Sequence, residues 1–204
     1  MVYSGVMGKA ERTRAAIIEQ TAPLFNRRGY AGTSLSDLTE EIQLTKGAIY
    51  GNFTDKQELA LEALKFNISH IAGEIRTRQA AANSHIDRLM AYPEAYRSIY
   101  RWILGNGGCP IANTLTEADD TNPALSRLAL LFVRRWRRNI DQIVRAGQAE
   151  GELRDDADGD RLGQALLAAI SGGVMLAKAT GDHSFIRTAL EQASAMVEQT
   201  RVGE

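Results

Sequence analysis

Cysteine is almost missing from this chain. Cys109 stands alone, so no intrachain disulfide can form, and the sequence suits a reducing compartment. Proline is scarce too, with four in 204 residues. Runs rich in Ala, Leu, Arg and Glu fill the length, which points to an all-α protein. Charge of one sign is not in excess: the net charge is −1, so no global basic field announces a nucleic-acid partner, and any affinity for DNA must come from local groups such as Lys9, Arg12, Arg14, Lys46 and Lys56. No apolar run reads as long enough to span a bilayer, and the N-terminus lacks the apolar stretch of a signal peptide. The expectation is a cytoplasmic protein with no membrane partner. Catalytic patterns are missing as well. There is no Ser-His-Asp order, no metal-spaced His/Cys/Glu set and no phosphate loop, and His70, His85 and His183 are scattered. Asp155–Asp160 faintly resembles a calcium loop, but the place of its closing glutamate is taken by Leu167, so it reads as a helix start. No catalytic residue, metal or cofactor is expected.

What is present centres on Thr33–Lys56. Leu35, Leu38 and Ile42 share one face of a short helix, and Leu44, Ala48, Ile49 and Phe53 share one face of a second. Ser34 is suited to cap the first, with Asp37 three residues on as a weak capping box, and Thr45 to cap the second. Ile42-Gln43-Leu44 has the length of a helix-turn-helix connection. Once Ala48, Ile49 and Phe53 are buried, the second helix presents Lys46, Gly47, Tyr50, Gly51 and Asn52. Two glycines there lower helix propensity by roughly 1 kcal/mol each, yet they let a backbone approach a surface closely. Lys46 and Asn52 can bond base edges, and Tyr50 can reach a phosphate or a thymine methyl.

The segment resembles the N-terminal DNA-binding domain of TetR-family transcriptional regulators. The likeness covers roughly Lys9–Leu64: a first helix ending Phe25-Asn26-Arg27-Arg28-Gly29-Tyr30, then Thr33-Ser34, Thr45-Lys46-Gly47-Ala48-Ile49-Tyr50, Phe53-Thr54-Asp55-Lys56 and Leu59. It departs at the turn, where the family has Ala-Gly and this chain has Ile42-Gln43, and at Gly51, where many relatives carry a bulky or polar contact residue. The resemblance implies an all-α fold of about nine helices. A three-helix helix-turn-helix domain would occupy 1–54, and a helical ligand-binding and dimerisation domain 55–204. It implies a DNA-binding set of Ser34, Ser36, Thr45, Lys46, Gly47, Ala48, Tyr50, Asn52 and Lys56, with Ser34 and Lys56 on phosphates. The expected partners are an operator duplex, an unknown small molecule and a second copy of the chain. The function implied is that of a ligand-responsive regulator, a repressor released from a palindromic operator by a small hydrophobic molecule.

Around that segment, Met1–Gly8 reads as a mobile arm. The first helix should run from Lys9 to Arg28, with a kink or break at Pro23. Arg12 and Arg14 read equally as phosphate contacts or solvated charges. Lys56 falls in the first turn of a fourth helix, an unfavourable place for a cation unless an anion lies nearby. That helix carries an inner stripe of Leu64, Ile68, Ile71 and Ile75, and Gln79–Ser84 reads as a loop. Tyr92, Tyr96 and Tyr100 share a face of the next helix, interrupted by Pro93. They suit core packing or a cavity wall. The wider candidate pocket is Phe66, Tyr92, Tyr96, Tyr100, Cys109, Phe132, Trp136 and Met175. Cys109 precedes Pro110 at a helix start, where the dipole favours a thiolate. Some family members with a similar Gly-Cys step respond to electrophiles or oxidants, so a thiol sensor is an alternative, as is a protein-binding module without operator binding. Asn122-Pro123 opens a long helix with an apolar face of Leu128, Leu131, Phe132, Trp136, Ile140 and Ile143, and Arg134–Arg138 reads as a solvated face. The last two helices, about 160–180 and 184–201, carry Leu162, Leu166, Ile170 and Val174, and Ile186, Leu190, Ala193 and Val197. Small residues among them suit a two-fold four-helix dimer.

Overall fold

The structure is a computed structural model that describes residues 8–203. All but Gly8 of the N-terminal arm therefore lies outside the described residues. Among those residues the chain forms nine helices and no strand beyond one isolated bridge, Leu153 to Arg201. The helices are α1 (Lys9–Arg28), α2 (Leu35–Ile42), α3 (Lys46–Tyr50), α4 (Lys56–Ala81), α5 (His85–Gly105), α6 (Pro110–Ala118), α7 (Pro123–Ala149), α8 (Gly159–Thr180) and α9 (Ser184–Glu198).

The N-terminal unit closes around Ile17, Leu24, Phe25, Leu38, Ile49, Phe53 and Leu59, all buried. Helix α1 runs through Pro23 as one element, so the last turn is not the separate element that a break there would leave. Buried Ala22, Leu24 and Phe25 hold the last turn on α4, and the buried Asn67 side chain of α4 donates to the Ala22 carbonyl at 3.0 Å. Arg14 is not left for a phosphate. Its guanidinium bonds Glu58 at 2.6 Å and lies 4.5 Å from the Phe53 ring centre, pinning α1 to the start of α4. Leu44 departs from the pattern: it is exposed, because it sits in the turn before the Thr45 cap rather than on the buried face of α3.

Helix α4 carries its stripe of Leu64, Ile68, Ile71 and Ile75 into the second unit and continues to Ala81. The polar stretch expected as a loop is thus helical over its first half, held there by Gln79, whose side-chain amide reaches the Arg88 carbonyl and Asn139. Ser84 then caps α5, assisted by a remote carboxylate: Glu152 accepts from the N–H groups of His85 and Ile86 at 2.7 and 2.8 Å. Pro93 is buried inside α5 without interrupting it.

Helices α7, α8 and α9 form the far side. Asn122 caps α7 with Pro123 at its first position, and Asp158 caps α8. Leu131 is exposed rather than on the apolar face, which turns toward Trp136, Ile140 and Ile143. Helix α8 is long and apolar enough by length and composition to cross a membrane, which corrects the expectation that no segment is. Here it packs between α7 and α9, with one face buried and Met175 and Leu176 left exposed on the other. Its stripe of Leu162, Leu166, Ile170 and Val174, with Ile186, Leu190, Ala193 and Val197 of α9, is buried inside the protomer. Those side chains therefore cannot form the face between two copies. Close approach of the two helices is secured by Gly173, where an added Cβ would lie 2.5 Å from that of Ala189. The apolar side chains that remain outside on this hairpin are Met175, Leu176 and Phe185.

Candidate DNA-reading face and ligand cavity

The helix-turn-helix is built from local capping. The Asp37 N–H donates to the Ser34 hydroxyl at 3.1 Å, while the Ser34 N–H donates to the Asp37 carboxylate at 2.7 Å. Arg28 adds an ion pair at 3.0 Å. The hydrogen bonds from the Ser34 side chain and backbone, with the Arg28 charge, hold the Asp37 carboxyl below its ordinary range. Thr45 caps α3 through the Ala48 N–H at 3.2 Å. Between the helices Gln43 adopts φ 52, ψ 34, the one left-handed non-glycine among the described residues. The turn geometry is thus kept without its usual glycine, at roughly 1–2 kcal/mol of strain.

Helix α3 buries Ile49 and leaves Lys46, Gly47, Tyr50 and Gly51 exposed. Packing does not demand a glycine at 47: an added Cβ would meet only the Thr45 hydroxyl at 3.7 Å, an ordinary contact. Ser36 and Thr45 are also exposed. Ala48 is half-buried, and so is Asn52, whose amide turns back to the Ala48 carbonyl at 2.9 Å. Lys56 is half-buried, with its ammonium 4.1 Å from the Tyr30 ring centre. Desolvation holds this lysine below its ordinary pKa, although Glu117 and Asp37 both favour its charge. Tyr30 thus partly accounts for a cation in the first turn of a helix. Asp55 caps that turn, and Glu58 accepts from the Thr54 N–H at 2.7 Å and from Arg14, which holds its carboxyl below the ordinary range.

A set of side chains absent from the sequence reading ties this unit to the rest. Glu117 of α6 accepts the N–H groups of Tyr30 and Ala31 at 2.9 and 2.8 Å. Gly29, at φ 74 and ψ 174, lies directly against the same carboxylate, which leaves no room for a Cβ. Asn26 donates to the carbonyls of Asn106 and Gly108, and Asn113 donates back to the Asn26 carbonyl at 3.0 Å. No local motif marks these contacts, since the partners lie far apart in sequence.

A cavity of about 390 Å³ opens between α4, α5, α6 and α7. Ile68, Ile71, Ala72 and Ile75 come from α4, Tyr92 and Tyr96 from α5, Ile111 from α6, and Phe132 and Trp136 from α7. Its polar rim is Arg76, Gln79, Arg135, Arg138, Asn139 and Gln142. Tyr92 donates to Asn139 at 2.6 Å, and burial pushes both Tyr92 and Tyr96 above the ordinary phenol range, so they stay neutral. The indole N–H of Trp136 is buried without a partner among the described residues. The structure places Tyr92, Tyr96, Phe132 and Trp136 together in this wall, and the other expected pocket residues elsewhere. Phe66 is half-buried on α4 outside the cavity. Tyr100 has turned past it to set its ring edge-on to His183, Met175 is exposed on the outer side of α8, and Cys109 is buried at the start of α6 with its sulfur 3.7 Å from the Ser171 hydroxyl. A thiol so enclosed is shielded from reagents in solution.

Comparison with known proteins agrees with this geometry. Residues 17–63 match the family model described as bacterial regulatory proteins, tetR family, and residues 85–193 match the tetracyclin repressor-like C-terminal domain. The crystal structure of a TetR transcriptional regulator from Chloroflexus aurantiacus superposes with a TM-score of 0.89 at 34% identity, covering 97% of this chain and 100% of that one. The TetR-family regulator from Cytophaga hutchinsonii gives 0.88 at 34% identity, covering 98% and 100%. The transcriptional repressor DhaR of Mycobacterium sp. (strain GP1) is 25% identical over 166 residues, 81% of this chain and 82% of its own length. The chain belongs to the TetR family of bacterial transcriptional regulators.

Proposed function

We propose that the protein is a ligand-responsive repressor acting in the cytoplasm, with its DNA-binding domain at 1–54 and its ligand-binding and dimerisation domain at 55–204. The observation that carries this reading is the course of α4. Its first turn, with Lys56 on the Tyr30 ring, abuts the helix-turn-helix, and its last turns, with Ile75 and Arg76, line the cavity. Helix α6 makes a second link, with Ile111 in the cavity wall and Glu117 on the backbone of Tyr30 and Ala31.

In this reading Lys46, Gly47, Ala48, Tyr50 and Asn52 meet base edges, with Ser36 and Thr45 beside them. Ser34 and Lys56 hold phosphates, after the Ser34 hydroxyl exchanges its internal partner. Two copies join through the outer faces of α8 and α9, where Met175, Leu176 and Phe185 are exposed. The dimer sets its α3 helices in successive major grooves, roughly 34–36 Å apart, on a near-palindromic operator. A molecule seated among α4 to α7 favours an arrangement of α4 and α6 that no longer fits that spacing. Release is a population shift, limited by the ligand's differential affinity for the two arrangements.

The test is selection of bound sequences from a random duplex pool at moderate salt, with Tyr50→Ala as control. A palindromic motif that the control loses supports the reading. No enrichment, or a motif that the control keeps, refutes it and leaves a helical module with another partner.

A further inference from the structure

The cavity has a sharp division between wall and rim. Its wall is aliphatic and aromatic, and none of its lining side chains is acidic. Its rim carries three arginines: Arg76 of α4, and Arg135 and Arg138 of α7, which share a helix face at i, i+3. All three are exposed, and none forms an ion pair with a carboxylate among the described residues. Three other arginines of the same two helices are neutralised, Arg78 by Glu74 at 3.0 Å, Arg137 by Asp160, and Arg145 by Asp141 at 2.8 Å, while Arg127 and Arg134 of α7 lie off the cavity with no carboxylate ion pair among the described residues. Three arginines without a carboxylate partner thus stand together at the mouth of an apolar concavity with no acid in its lining, where low-dielectric walls focus the field. The guanidinium fork matches a carboxylate in shape and charge.

Building on the ligand-responsive reading above, we infer that the cavity takes an amphiphilic monocarboxylate, with its hydrocarbon or aromatic body against Tyr92, Tyr96 and Trp136 and its acid group at Arg76, Arg135 and Arg138. A cationic ligand meets repulsion at this mouth, and a neutral one leaves the guanidinium groups unused. The volume suits a body of bicyclic or medium-chain size, at the lower end of small-molecule sites.

Equilibrium dialysis of the full chain against two matched probe series tests this: naphthalene-2-carboxylate, 2-naphthalenemethanol and 2-naphthylmethylammonium, and then decanoate, decanol and decylammonium below their micellar range. In at least one series the acid should bind about tenfold tighter than its neutral partner, with the ammonium weakest. That preference should fall as salt rises. The Arg135→Gln/Arg138→Gln double variant changes only exposed positions. In it the preference should collapse toward unity while the neutral probe keeps its affinity within about twofold. Equal or better binding of the neutral or cationic member overturns the inference, and so does a preference that survives in the double variant. Neutral probes that bind and release operator DNA would leave the ligand-responsive reading standing without this ligand class. If no probe binds, this inference falls, and the operator selection above decides the repressor reading by itself.

Discussion

Replacing Glu117 with alanine removes the carboxylate that joins α6 to the loop after α1. Two charge-assisted hydrogen bonds are lost, from Tyr30 at 2.9 Å and Ala31 at 2.8 Å. Each such bond is worth roughly 1.5–3 kcal/mol where water is excluded. Ala31 is exposed, so water replaces its partner at little loss, whereas Tyr30 is half-buried and its N–H keeps part of the penalty. The net destabilisation is therefore about 2 kcal/mol rather than the sum of both bonds. For a chain of this size that lowers the melting temperature by roughly 4–8 °C. Gly29→Ala in the same background checks the geometry. In the native chain the new methyl meets both the Glu117 carboxylate and a φ of 74. Without the carboxylate only the backbone strain remains, so the two substitutions should be less damaging together than the sum of the singles. Thermal unfolding followed by circular dichroism reads both. A Glu117→Ala variant that melts within about 1 °C of the parent, or strict additivity with Gly29→Ala, would refute the latch.

Two further outcomes follow from the helix-turn-helix. Gln43→Gly relieves left-handed strain of about 1–2 kcal/mol and loses about 0.5–1 kcal/mol to chain entropy, so it should raise the urea midpoint by a small amount, and a lower midpoint would contradict the strain at φ 52. Glu58→Gln should be less stable than the parent at pH 7. The Glu58 carboxyl lies below its ordinary 4.5 in the folded chain, so its contribution is complete above that pH and is lost as pH falls through the folded value. The difference between variant and parent should therefore shrink below about pH 4.5 in acid unfolding curves. A gap that stays constant to pH 3 would count against it.

Helices whose signals are local were legible in the sequence. Ser34 with Asp37, Thr45, and Asn122-Pro123 mark their helix starts because a cap needs only residues three or four apart. The stripe from Leu64 to Ile75 was legible for the same reason, since one helix face is written at a fixed spacing. Proline at 23 and 93 does not end its helix: buried Ala22, Leu24 and Phe25 hold the chain around the first, and the second is itself buried, which offsets the loss of one hydrogen bond. The stripes of α8 and α9 misled differently. Periodicity says that a face is buried, and it is silent about whether the cover is the protomer or a second copy.

The cavity shows where such reasoning stops and what replaces it. Tyr92, Tyr96, Phe132 and Trp136 declared themselves by size, and the fold brings them together. Arg135 and Arg138 were visible too, in a run with Arg134 and Arg137 that spreads around Trp136 and reads as a solvated face with acidic segments such as Asp155–Asp160 for partners. Arg137 does pair with Asp160, and what the run does not announce is that Arg135 and Arg138 turn to the cavity. Helix α6 adds what no run of residues could announce. Ile111 and Glu117 lie on one short rigid element, one in the cavity wall and the other on the backbone before α2. A shift of so short a helix along its axis at Ile111 is passed whole to Glu117. If Glu117 is what carries that movement, Glu117→Ala should weaken the effect of a bound carboxylate on operator affinity more than it weakens binding of the carboxylate itself. Equal losses in both would mean that α6 only supports the cavity wall.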